Sequence, residues 1–237
     1  NMSVSSDNKE PQLDPNDADE AIEEAEEKCD VETILAIINV TTDEARTAAN
    51  EVDDNTEEKE NEWTDAAESA LYAFYRLMKS GRVAENTYCT VPYYTYLDPV
   101  FSALDAWQHE EAIVEAALGC IVATCNDLDK NGEMLTESDI NDLKEHINKC
   151  DIIAVIVTKI MPKFTTESSI QEQACLALEA LAKSTYSVNT ELIELFKHYI
   201  NNGLIQKQLI LARDERITNE RNKAYPSRVA RVLDISI

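Results

Sequence analysis

The 237-residue chain carries 46 acidic against 21 basic side chains, a formal net charge of −25, and 44% of its residues are apolar. Four glycines are too few for the many tight turns of an all-β fold. The acidity repels phosphate backbones and anionic membranes, so neither nucleic acid nor a membrane is an expected partner.

Residues 1–16 combine Pro11 and Pro15 with polar side chains and are expected to be disordered. The acid-rich DADEAIEEAEEK run after them forms a solvated helix only if Ile22 and Ala25 find a surface. Residues 1–30 are therefore expected to be an acidic, partly disordered arm, and 31–237 a helical repeat domain. VETILAIINV is the first strongly apolar segment. Thr41 with Glu44 has the spacing of a capping box, which predicts a new helix running to about Val52. The acidic stretch 53–62 reads as a linker. Thr64 is then the expected cap of DAAESALYAFYRLMKS, which stops at Gly81.

Residues 87–96 are aromatic with Pro92 inside and read as an ordered loop. Its Tyr88, Tyr93, Tyr94 and Tyr96, with Trp107 later, suit either a partner contact or a cover over the core; the cover is the favoured reading. A helical pair follows in LDPVFSALDAW and EEAIVEAALGCIVATC. After a turn near 126–134, Thr136 with Asp139 opens the next helix. CDIIAVIVTKIM ends near Pro162, Thr166 begins another, and helices at about 188–202 and 204–222 precede a short terminal one.

Charge is uneven along the chain. Residues 1–62 hold 21 acids against four bases, whereas residues 197–237 hold eight bases against four acids. The two ends could therefore attract each other, within one chain or between copies. The six cysteines form no C-x-x-C pair, and Cys120 and Cys175 fall on apolar helical faces, as expected in a reducing compartment. The expected location is the cytoplasm, with the nucleus as the alternative. The longest apolar stretch, near 152–157, is too short to span a bilayer, and no signal-like segment opens the sequence. Asn1 precedes Met2, so the written start is not an initiator methionine.

Three helices share one pattern, E-x-A-x-x-small-apolar: Glu68/Ala70/Ala73/Phe74, Glu115/Ala117/Cys120/Ile121 and Glu172/Ala174/Ala177/Leu178. The offsets are 47 and 57 residues, and an apolar helix precedes the second and third copies. Small residues on a buried face allow close approach of another helix, so the copies are expected to stack on one another.

The stretch CDIIAVIVTKIMPKFTTESSIQEQACLALEALAKS resembles an armadillo repeat, with Ile170, Gln171, Glu172, Ala174, Ala177, Leu178, Leu181 and Ala182 fitting the family pattern. Residues 97–125 fit it less fully. The resemblance implies an all-α, right-handed superhelical solenoid over about 63–225. It also implies a binding face on the last helix of each repeat. The family's import receptors carry an Asn ladder there, and the corresponding residues are Arg76, Ala123 and Ala180, so that activity is not expected. With their neighbours Tyr72 and Glu179, these are the candidate partner-binding residues.

Asp127, Asp129, Asn131, Gly132 and Glu133 match the first half of an EF-hand loop, but position 12 is Ser138 where a bidentate Glu is needed. Any calcium binding through Asp127, Asp129, Asn131 and Glu133 is expected to be weak. His146 and Cys150 lie i, i+4 without a second ligand pair. No phosphate-binding glycine motif or nucleophile motif occurs. The expectation is a non-enzymatic scaffold or adaptor without cofactors, binding a protein or peptide, basic ones included, along the repeat groove. The alternatives are a calcium-responsive regulator using 127–133, and self-association of the acidic arm with the basic C-terminus.

Overall fold

The computed structural model describes residues 14–50, 56–80, 96–130, 137–183 and 190–237, which form eleven helices with no β-strand among them. They are α1 Pro15–Lys28, α2 Val31–Asn50, α3 Thr56–Ser80, α4 Leu97–Ala106, α5 Glu111–Lys130 and α6 Glu137–Cys150. Then come α7 (152–163, with a π-turn at Val155–Ile160), α8 Ser168–Lys183, α9 Thr190–Asn201, α10 (204–216, ending in a π-turn) and α11 Ala224–Val232. The chain is all-α.

The acidic DADEAIEEAEEK run does find a surface. Ala18, Ile22 and Ala25, spaced i, i+4 and i+7, are buried in the same core as the rest of the chain. Pro15 is the first helical residue, where a missing N–H costs nothing. The helix ends in a Schellman corner: Asp30 N donates to Ala25 O (2.8 Å) and Cys29 N to Glu26 O (3.2 Å), with Cys29 at φ 56°. Asp30 then caps α2 by accepting from Thr33 N at 3.1 Å and from Thr33 Oγ1 at 2.7 Å.

Several boundaries differ from the sequence reading. Thr41 opens no helix; it lies inside α2, fully buried, with its hydroxyl donating to Ile38 O at 3.0 Å. The reason is the buried stripe Ile34, Ile38, Thr41, Thr42, Ala45 and Ala48, which runs unbroken along one face. Likewise, residues 56–62 are not a linker, because α3 already begins at Thr56 and Thr64 is interior to it. The expected loop at 87–95, the stop at Gly81, the opening at Thr136 and the disorder of 1–13 lie outside the described residues.

The helices bearing the shared pattern pack in sequence. α3 lies against α5 and α5 against α8; α1 adjoins α3 at one end and α11 adjoins α8 at the other. A second set, α2, α4, α6 and α9, is likewise packed neighbour to neighbour. Ala70, Ala73, Ala117, Ala174 and Ala177 are all fully buried, which allows close approach along the first row. α5 and α8 are buried on almost every side because each has a row neighbour on both flanks. Tyr96 meets Phe74 edge-on, with ring centroids 6.2 Å apart.

Gln171, a polar residue of the repeat-like pattern, is fully buried and braces the end of α7. Its Nε2 donates to Met161 O (2.9 Å) and Phe164 O (2.8 Å), two carbonyls at the end of that helix. Arg216 Nη1 adds bonds to Met161 O (2.9 Å) and Gln208 Oε1 (2.8 Å). The helix expected over 204–222 stops at Arg216. Beyond it the chain crosses the start of α8, where Ser168 Oγ accepts from Thr218 N (3.0 Å) and Glu172 from Asn222 Nδ2 (2.7 Å). α8 itself begins at Ser168, two residues beyond the expected Thr166.

Candidate functional site

The seam of α1 on α3 leaves a groove of about 360 Å³ along one side. The Ala18/Ile22/Ala25 stripe holds α1 down, and the residues one position further on, Asp19, Glu23 and Glu26, line the groove with Ile22. From α3 come Glu68, Ser69, Tyr72 and Arg76, at offsets that place them on one helical face. The lining thus has four carboxylates and one guanidinium.

That guanidinium is engaged. Arg76 Nε donates to Glu26 Oε1 at 2.7 Å and Nη2 to Glu26 Oε2 at 2.6 Å, the bidentate fork geometry. This bond holds Arg76 above its ordinary pKa. Tyr72 is half-buried, and burial followed by the negative charge of Glu115 and Glu68 pushes its phenol up. It therefore stays protonated, as a hydroxyl beside carboxylates. Chemically, the groove accepts hydrogen bonds from cations and offers an aromatic wall for their aliphatic stems.

The candidate residues fall into two groups. Tyr72 and Arg76 line this groove together. Ala123 on α5 and Ala180 on α8 lie outside it and are only 8% and 7% exposed. Glu179 is 4% exposed and is used internally: Arg228 Nη2 lies 2.8 Å from its Oε2, and Lys183 pairs with its other oxygen. The shared glutamates take different partners. Glu115 accepts from Ser169 (3.2 Å) and Glu172 from Ser168 (3.1 Å), whereas Glu68 faces the groove.

Asp127 and Asp129 fall within the last turn of α5, while Asn131 and Glu133 lie outside the described residues. Among the described residues, no three His, Cys, Asp or Glu side chains are grouped to hold a metal ion. His146 turns towards α4, its Nδ1 2.6 Å from Asp98 Oδ1, with Lys149 Nζ 3.4 Å from the same carboxylate. Asp19, Glu23, Glu26 and Glu68 were missed as groove residues by the sequence reading. For the three on α1 the signal was the position beside the Ala18/Ile22/Ala25 stripe, which reads as a seam only once α1 is known to be docked.

Set against protein-family models, curated proteins and solved structures, the chain finds no match in any of the three. Among the described residues, no helix is long and apolar enough to cross a membrane.

Proposed function

We propose that this chain is a non-enzymatic interaction scaffold, built as a right-handed superhelical stack of armadillo-like repeats. In this reading it takes a basic segment of a protein or peptide partner into the α1/α3 groove. The observation that carries the reading is the groove itself, with four carboxylates and Tyr72 facing one already-occupied guanidinium.

The stacking is supported by the spacing of its tertiary bonds. Arg76–Glu26, Cys120–Leu71, His146–Asp98, Ser169–Glu115, Asn222–Glu172 and Arg228–Glu179 all join residues 48 to 54 apart in the chain. A repeat of about that length, each copy resting on the one before, produces this regularity.

The test is a fluorescence-anisotropy titration with a labelled Lys/Arg-rich peptide, using the wild-type chain and a Glu23→Gln/Glu68→Gln variant. The expected loss of affinity is about tenfold, with binding by both proteins falling as salt is raised. Equal affinity for the two proteins overturns the groove as the binding site.

A further inference from the structure

The first row of helices ends in faces of opposite charge. Because α1 turns Ala18, Ile22 and Ala25 inward, Asp17, Glu20, Glu24 and Glu27 point the other way, and all four are exposed. Glu24 is paired with Lys28; among the described residues Asp17, Glu20 and Glu27 have no base paired with them. This stripe lies away from the groove.

At the other end, α11 buries Pro226, Val229 and Ala230 and leaves Arg231 exposed. Arg221, on the segment leading into it, is also exposed, and neither has an ion-pair partner among the described residues. α10 packs beside α11 and presents Lys207 and Ile210, three positions apart on one helical face. Ile210, at 38% exposure, is the one exposed large apolar side chain among the described residues. Unpaired bases and uncovered apolar surface are thus concentrated at the same end.

We propose that this C-terminal end docks the outward face of α1 from a second copy of the chain, head to tail. Charge complementarity selects the occupant: the bases find their match in the unpaired acidic stripe at the opposite end of the same molecule. A polyphosphate would meet the same bases, but the chain's net charge of −25 opposes it. The contact is heterologous, so it closes into a ring or runs on as a string of copies. It goes beyond the peptide-binding reading and uses a different face of α1.

The experiment is sedimentation velocity of the full chain over a concentration series, in about 20 mM and about 500 mM salt, which bracket strong and weak screening. The expected result is a mass that rises with concentration at low salt and returns to the monomer at high salt. Arg221→Glu/Arg231→Glu and Glu20→Lys/Glu27→Lys are each expected to be monomeric, with melting curves like the wild type. Mixed in equal amounts they regain association, because each variant end now faces its opposite charge. A monomer at low salt overturns the proposal, as does association that survives either variant or a mixture that stays monomeric. Glu68→Gln, which lies in the groove, leaves association unchanged, so failure of the peptide site reads out separately.

Discussion

Arg76 and Glu26, 50 residues apart, are joined by both arms of a guanidinium fork, and Arg228 and Glu179, 49 apart, are joined the same way. Each pair ties one helix of the first row to the next. They differ in burial: the Glu26 side chain is 27% exposed and that of Glu179 only 5%.

That difference sets the first prediction. Arg76→Ala removes a solvent-screened pair and costs less than about 1 kcal/mol of stability. Arg228→Ala leaves a nearly buried carboxylate with Lys183 alone and costs about 1–3 kcal/mol. Urea unfolding of the two variants measures both. Arg76→Ala also frees Glu26 for a ligand, so basic-peptide affinity is expected to rise by about three- to tenfold.

Gln171→Leu keeps the volume of the side chain but withdraws both donors from Met161 O and Phe164 O. The expected cost is about 1–3 kcal/mol, read from the midpoint of chemical unfolding. A variant as stable as the wild type would show that the two bonds do not stabilise the fold.

Tyr199 provides a pH dependence. Burial, and then the bond from its hydroxyl to Asp151 Oδ1 at 2.5 Å, push the phenol up to about 12. The neutral form is the one the fold prefers. Its contribution is therefore intact below the ordinary phenol pKa of about 10 and is lost as pH rises through about 12. Solvent screening of this half-exposed group holds the effect to about 1 kcal/mol or less. Comparing Tyr199→Phe with the wild type from pH 9 to 12 isolates it, and the two curves are expected to converge at the alkaline end.

The described cysteines divide by burial. Cys120 and Cys175 are fully buried, and burial pushes both thiols far up, so neither supplies thiolate. Cys29 and Cys150 are half-exposed. Brief alkylation of the native chain followed by mass spectrometry is expected to label Cys29 and Cys150 and to spare Cys120, Cys125 and Cys175 until denaturant is added.

Much of this fold was legible because helical period survives in single sequences. The alignment of Glu68, Glu115 and Glu172 brought together three helices that pack in that order, and Gln171 was singled out before its buried role was visible. Thr41 misled because a capping-box spacing is a local signal, while the stripe from Ile34 to Ala48 is buried by tertiary packing that overrides it. Residues 56–62 misled for a related reason: an acidic run reads as a linker, yet it only extends a helix whose apolar part is anchored at Trp63. The groove was out of reach from sequence, since its walls come from helices whose docking depends on a narrow stripe of two alanines and one isoleucine.

The near-constant spacing of about 50 residues between bonded partners bears on how the chain is made. Each helix of the first row meets its predecessor after one loop of similar length, so every closure carries nearly the same entropic cost. At ribosomal rates of about 5–20 residues per second, some three to ten seconds separate one docking from the next. The nascent protein can therefore assemble from its N-terminus as it emerges, each new helix settling on a surface completed before it.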